Sequence, residues 1–535
     1  MASVREATFE LFRRHGMTAV FGNPGSTELP MLAEFPEDFT YYLALHEAVA
    51  VGMADGYAQA SGRPAHVNLH TAPGVGNGMG AIFNAQANHS PLLITAGQQA
   101  RELVTLQANL TNRDATRLVH PLVKHSFEPP RAQDVPLALA RAIHLASLPP
   151  RGPAFVSIPM DDWGAEVDAE AVEHAVRRSV TGGAGAPDDA ELVTLAARLA
   201  GARNPVMVAG PDIDASGAWD AAVAFAEHAR LPVFAVPAPG GGRIGFPEGH
   251  ELFRGILPPA IGPVAETLAS YDFVLVVGSS VFPYYPNIPG PLLPEGAELV
   301  QITSDPDEAA RAPMGDAIVA DVKLALEALL GAVEAPDREP SGEPLPDPVG
   351  GEDSDPITPT LLFHGLREVF PEDGIVVLEA PSATLALRNQ LRLSRPGSYY
   401  FGAGGGLGFG LAAAVGVQLA RPDRPVVCVV GEGSAQYAIT ALWSAAAYGV
   451  PVTFLVLRNS EYAILKWFSQ VEGVDRAPGL DLPAVSCVEV ARGYGVDARE
   501  VGGGPDAVVE ALREAIPASE PRLLEVPVAP GMWLF

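Results

Sequence analysis

The chain has 535 residues, 48% of them hydrophobic, and a formal net charge of −29; it is too long for one hydrophobic core and implies about three domains. That excess of acid excludes nucleic acid and anionic membrane surfaces as natural partners, and no apolar run reaches the roughly 18 residues of a membrane span. Two cysteines, Cys428 and Cys487, cannot build a disulfide framework, and the opening MASVREATFELFRRHG reads as an amphipathic helix without a signal-peptide core, so a cytoplasmic protein is expected.

Residues 1–180 alternate strand and helix. Residues 18–21, 41–46, 65–69, 91–96 and 154–159 read as strands, and 47–60 as a helix opened by Glu47. This alternation predicts a parallel sheet covered by helices. Ser26, in the turn Gly22-Asn23-Pro24-Gly25-Ser26, falls at a strand carboxyl end, as do Glu47 and His70. All three lie on the sheet edge where open α/β folds bind ligands. Singly, Ser26 reads equally well as a helix cap, Glu47 as an answer to the helix dipole, and His70 as a structural side chain. Together they form a candidate site.

Residues 181–340 restart the pattern, with strands at 205–209, 271–278 and 299–302. Residues 334–357 are acidic and Pro/Gly-rich and read as a linker, with 341–357 dividing the second domain from the third. The last domain, 358–535, carries YYFGAGGGLGFG at 399–410. Its glycines let backbone lie against a flat ligand, with Leu407 the one large aliphatic side chain in the turn. The expected fold class is α/β, with three doubly wound parallel-sheet domains. The chain ends in the apolar GMWLF, a segment suited to docking on a neighbouring subunit.

Within the last domain, 426–430 is a strand of the doubly buried type, followed by Gly431-Glu432-Gly433-Ser434. Ile439, Leu442, Trp443 and Ala446 then recur at helical spacing, and 452–457 is a second buried strand. Glu432 and Asn459 therefore project from one carboxyl edge. With the Glu461 carbonyl they offer three oxygens to Mg²⁺ or Ca²⁺, while the glycines and the helix end suit a diphosphate. An ordinary strand–helix–strand unit with a surface Glu and Asn fits the same residues.

The stretch 431–459 resembles the thiamine diphosphate motif. FGNPGSTELP, DGYAQASGRPA, SPLLITAGQQ, MGDAIVAD, RPGSYYFGAGGGLGFG and GVQLA extend the resemblance along the chain. The sequence is similar to the thiamine-diphosphate-dependent 2-oxo-acid decarboxylase family. The resemblance implies pyrimidine-binding (1–180), central (181–340) and diphosphate-binding (358–535) domains. It also implies a homotetramer, a dimer of dimers with each site between two subunits. Thiamine diphosphate would be held by Gly25, Glu379, Gly405, Leu407, Gly431, Gly433, Ser434 and Tyr462, with the metal on Glu432, Asn459 and Glu461. Glu47 would hydrogen-bond the aminopyrimidine, Leu407 would keep the cofactor bent, Ser26 would bind the substrate carboxylate, and His70 would transfer protons. Phe401, Ile464 and Phe468 would line an apolar substrate pocket. The implied reaction is non-oxidative decarboxylation of an aromatic or bulky, benzoylformate-like 2-oxo acid, with carboligase side activity.

Several positions depart from the family pattern. Glu432 stands for its aspartate and Arg458 for the first asparagine of its closing pair. Tyr285 takes the place of a second active-site histidine. Asn109 stands where an apolar residue is expected, and Pro381 interrupts a hydroxyl-rich segment. An acetolactate-synthase-like carboligase and a degenerate, non-catalytic member are the alternatives.

Overall fold

The computed structural model describes residues 2–533, apart from Thr181, Pro239, Gly240 and Ala484. Helix α1 (Val4–Arg14) is fixed by a capping box, the Ser3 hydroxyl accepting the Glu6 N–H and the Glu6 carboxylate accepting that of Ser3.

Among the described residues the chain builds three six-stranded, all-parallel sheets. The first contains β1 (Ala19–Gly22), β2 (Thr40–Leu43), β3 (Ala65–Leu69), β4 (Leu92–Gln98), β5 (His125–Phe127) and β6 (Ala154–Pro159), in the order β2-β1-β3-β4-β6-β5. The second contains β7 (Pro205–Ala209), β8 (Val233–Ala235), β9 (Phe253–Ile256), β10 (Phe273–Val277), β11 (Glu298–Thr303) and β12 (Asp316–Val319), in the order β9-β8-β7-β10-β11-β12. The third contains β13 (Ile375–Glu379), β14 (Tyr399–Phe401), β15 (Val426–Gly431), β16 (Val452–Arg458), β17 (Asp497–Glu500) and β18 (Arg522–Pro527), and its order, β14-β13-β15-β16-β18-β17, repeats that of the first. The central strands are buried along both faces, as their unbroken Val/Ile/Leu runs require.

The first and third sheets share one core, in which Phe21, Val67 and Ile94 are continuous with Val377, Val430 and Phe454. Its seam is the contact of α2 (Glu47–Ser61) with α4 (Gly410–Ala420). A Cβ on Gly52 would stand 2.7 Å from that of Ala412, and one on Gly56 or Gly416 would run into the backbone carbonyl of Ala413 or Met53. Only glycine allows this backbone approach. Helix α3 (Thr71–Ala87) lies beside α2. His89, just past α3, reaches to 3.8 Å from both Asp212 and Asp305 of the middle domain. Where the order of the middle sheet reverses, Gly210 packs backbone to backbone against Gly278 and Gly245.

One expectation changes. The turn expected at 431–434 opens a short helix, α5 (Glu432–Ala435), followed by a 3₁₀ turn (Gln436–Ala438) and by α6 (Ala441–Ala447), which stands where helical spacing was read from Ile439 to Ala446. The Gln436 N–H bonds to the Gly433 carbonyl, and this i→i+3 tightening ends the first piece. The linker stretch, residues 333–358, holds no helix and no strand beyond the single bridge of Ile357 to Val528. It is tied down, Arg338 donating to the Ala202 and Ala229 carbonyls and Gln390 to that of Val349. The chain end docks on its own domain, since the Trp533 N–H donates to the Ser382 carbonyl at 2.8 Å. Leu534 and Phe535 lie outside the described residues.

Candidate active site

Two clusters form at sheet carboxyl edges. In the first, β3 delivers His70, whose Nδ1 lies 2.8 Å from Glu28 Oε2 and 3.2 Å from the Thr27 hydroxyl. Glu28 is 1% exposed and also accepts the N–H groups of Gly25 (2.7 Å) and Gly97 (2.9 Å) and the Thr27 hydroxyl (2.7 Å). The His70 ring covers Gly25 so closely that a side chain there would collide with it. Ser26 follows, exposed on the rim. Glu47 opens α2, is buried, and accepts the Asn77 side-chain amide at 3.0 Å through Oε2. A Cβ on Gly74 would stand 3.1 Å from Glu47 Oε1 and 3.3 Å from the His70 Cβ, so both residues meet the first turn of α3. Three expected residues, Ser26, Glu47 and His70, thus gather with two that sequence reasoning missed, Glu28 and Asn77. The available signal for Glu28 was an acid two residues past Ser26 in a glycine turn, with no apolar pattern to bury it.

In the second cluster, Glu432 is 2% exposed and its Oε1 accepts the Ser460 N–H at 2.6 Å. Burial pushes its carboxyl above the usual range, against the pull of the backbone N–H groups of Glu432, Ser460 and Asn459. Asn459 Oδ1 accepts the Glu461 N–H at 3.1 Å and keeps a second lone pair. The Glu461 side chain is turned away, bonded to Lys466 and, at 2.9 Å, to the Gly531 N–H. Carboxylate, carboxamide and carbonyl oxygens make a donor set of the kind that Mg²⁺ or Ca²⁺ takes. Gly431 ends β15, Ser434 is buried, and a Cβ on Gly433 would stand 2.7 Å from the Tyr462 ring, leaving bare backbone along the edge. Arg458 points elsewhere: its guanidinium pairs with the buried Glu525 at 2.9 Å and with Glu500 at 2.8 Å.

Beside this cluster, Glu379 accepts the N–H groups of Gly408 (2.6 Å), Phe409 (3.2 Å) and Gly410 (2.8 Å). Burial pushes its carboxyl up to about 7 in spite of these donors. Its oxygens are occupied by the glycine turn, so any hold on a cofactor runs through the turn that carries Leu407. Gly405, in the same turn, has φ +72°, a left-handed conformation suited to glycine. Helix α7 (Ala463–Val471) carries Ile464 and Phe468, both half-buried. Tyr285, from the middle domain and 58% exposed, sets its ring 4.7 Å from that of Phe468. Phe401 is half-buried at the end of β14, while Asn109 is exposed. Among the described residues no hydrogen bond or ion pair joins the first cluster to the second.

The family model described as the N-terminal TPP binding domain of thiamine pyrophosphate enzymes matches residues 2–118, the central-domain model 192–329, and the C-terminal TPP binding domain model 381–526. A benzoylformate decarboxylase of Pseudomonas aeruginosa is 52% identical, covering 98% of this chain and 99% of its own length. A thiamine diphosphate-dependent 4-hydroxybenzoylformate decarboxylase of Rhodococcus jostii is 44% identical with a TM-score of 0.96, each chain covered in full. A benzoylformate decarboxylase from Polynucleobacter necessarius is 38% identical with a TM-score of 0.95, again with full coverage of both chains.

Proposed function

The chain belongs to the thiamine pyrophosphate enzyme family, and from that membership we infer that it is a thiamine-diphosphate-dependent carboxy-lyase acting on an aromatic 2-oxo acid of the benzoylformate type. Its products are CO₂ and the aldehyde. The observation that carries the reading is the presence, in one chain, of both the Glu47–His70–Glu28 edge and the Glu432–Asn459–Glu461 oxygen set. Full-length similarity to decarboxylases of this substrate class supports it.

When bound, thiamine diphosphate supplies the electron sink that lets a 2-oxo acid lose CO₂. Everything else falls to side chains. Glu432, Asn459 and the Glu461 carbonyl would hold Mg²⁺ or Ca²⁺, and Gly431, Gly433, Ser434 and Tyr462 would line the place of the diphosphate. Glu47 would hold a proton at the aminopyrimidine, and its amide partner Asn77, bonded to Oε2, leaves Oε1 for it. Leu407 and Gly405 would support the cofactor from the glycine turn. His70 donates Nδ1–H to Glu28, which leaves Nε2 to carry protons to and from the substrate. Ser26, on the rim beside Gly25, binds the substrate carboxylate. Phe401, Ile464 and Phe468 give the aryl group an apolar wall, and Tyr285, its ring against that of Phe468, stands in the proton path.

The site is shared between subunits in this proposal. Leu45, two residues before Glu47, and Tyr437, five after Glu432, are 43% and 56% exposed. Both would be covered if the first cluster of one subunit met the second cluster of its partner. The protein is taken to be a cytoplasmic homotetramer, in keeping with its two free, buried cysteines. Among the described residues no helix is long and apolar enough to cross a membrane.

The test is a panel of 2-oxo acids. Burying a phenyl rather than a methyl group should raise kcat/KM for benzoylformate over pyruvate by about 100-fold or more, from roughly 3 kcal/mol of extra apolar contact. Equal values would sink the substrate class.

A further inference from the structure

We propose that Asn84 is a positioning residue for the reaction: from the N-terminal domain it clamps the glycine turn of the C-terminal domain and so sets where Leu407 stands. The proposal rests on the thiamine diphosphate reading and on Leu407 as the side chain against which the cofactor bends.

Asn84 lies in the last turn of α3 and is 2% exposed. Its side-chain amide donates to the Gly406 carbonyl at 2.7 Å, and its Oδ1 accepts the Gly406 N–H at 3.0 Å. A carboxamide that bonds both the N–H and the C=O of one residue acts as a neighbouring strand would, and fixes that peptide in position and in rotation. Gly406 is the residue immediately before Leu407. The fit is tight, since a Cβ on either Gly404 or Gly406 would stand 2.9 Å from Asn84 Oδ1.

One turn further on, Asn88 repeats the device. Its Oδ1 accepts the Ala403 N–H at 2.9 Å and its amide donates to Asp55 Oδ2 at 2.9 Å. Glu379 holds the other side of the turn through Gly408, Phe409 and Gly410. Residues 403–410 are thus pinned at both ends, by asparagines from one domain and a glutamate from another. The glycines themselves have no side-chain contacts to hold them. Removing the Asn84 amide frees the peptide before Leu407 and leaves that residue held only from the Gly408 side, while the diphosphate and metal residues on β15 and β16 keep their own contacts.

The experiment uses the full-length holoenzyme and four measurements on Asn84→Ala and Gly406→Ala. These are thiamine diphosphate affinity from tryptophan quenching with Mg²⁺ in excess, KM and kcat for benzoylformate, exchange of the cofactor C2 proton for deuterium by NMR, and thermal unfolding. The expected result for both variants is C2 exchange and kcat slowed together by about tenfold or more, with KM and cofactor affinity within about threefold of wild type. Gly406→Ala keeps Asn84 and crowds it, so it carries the test if Asn84→Ala folds poorly. The combination Asn84→Ala/Gly406→Ala should be no slower than Asn84→Ala, because the clash is gone. Wild-type C2 exchange in both single variants would overturn the inference and leave the cofactor reading intact. A wild-type protein that neither binds nor exchanges thiamine diphosphate would overturn the reading itself.

Discussion

Replacing Glu28 by glutamine tests whether the first cluster is a proton-transfer site or only a well-filled turn. Four donors converge on that carboxylate at 2.7 to 2.9 Å, two on each oxygen: Gly25 N–H and His70 on Oε2, Thr27 and Gly97 N–H on Oε1. Glutamine has one acceptor oxygen, so its NH₂ must face either the Gly25 or the Gly97 N–H. The hydroxyl and the imidazole can adapt by turning or changing tautomer, but a backbone N–H cannot. One buried unpaired donor costs about 1–3 kcal/mol, and loss of charge assistance at the remaining bonds adds about 1. Glu28→Gln should therefore lose roughly 2–4 kcal/mol of stability, read as a lower urea midpoint. Its catalytic effect should pass through His70, either by reversing the tautomer or by weakening the partner that steadies Nδ1–H. General acid–base catalysis is worth about 10²–10⁴ in rate, so kcat should fall by on the order of 10². In a His70→Ala background the same change should cost kcat no more than about threefold, because residues that act as a unit are not additive. Full, multiplicative losses in the double variant would refute the coupling. Unchanged turnover in Glu28→Gln would remove Glu28 from the chemistry altogether.

Arg458→Ala should cost about 3 kcal/mol by urea denaturation, because it strands the buried Glu525. It should not raise the Mg²⁺ concentration for half-saturation; a large rise would mean that Arg458 contacts the diphosphate. His89 is drawn down by burial, but the charges of Asp212, 3.8 Å away, and of Glu308 and Asp305 outweigh this and raise it to about 9. Because that lies above the unfolded value near 6.5, its contribution is fully present below about pH 6.5 and is lost as pH rises through 9. His89→Asn, which tolerates the positive φ of 53°, should therefore lose on the order of 1–2 kcal/mol at pH 6 and nothing at pH 10, by urea titration. A pH-independent loss would contradict the ion pairing. Tyr285→His should lower the ratio of acyloin to free aldehyde. A phenol, with a reference pKa of about 10, returns a proton near pH 7 less readily than an imidazole at about 6.5. An unchanged ratio would take Tyr285 out of the proton path.

The sheets were legible partly from doubly buried runs such as that at 426–430 and partly from the regular alternation of short strands with helices. The run at 426–430 and the strands 65–69, 154–159 and 205–209 match β15, β3, β6 and β7 to within a residue. Glu47 and His70 were legible because a polar residue at the end of such a run must face the sheet edge. Glu28, Asn77 and Asn84 were not, because their meaning lies in partners as distant as Gly406, which no local pattern announces. The short helix and 3₁₀ turn at 432–438 were hidden for a different reason: the apolar helical spacing begins only at Ile439, beyond both. The pairing of Tyr285 with Phe468 across two domains is likewise a tertiary fact, although each residue had been picked out separately.

The most direct test of the account is to strip the enzyme of thiamine diphosphate and divalent cation, restore both, and follow CO₂ and aldehyde from benzoylformate. The prediction is one CO₂ and one aldehyde equivalent per benzoylformate consumed, less any aldehyde captured as acyloin. Turnover should vanish when either component is withheld, and should fall by at least about 10²-fold in Glu47→Gln. Turnover without the cofactor, or an unimpaired Glu47→Gln, would contradict it.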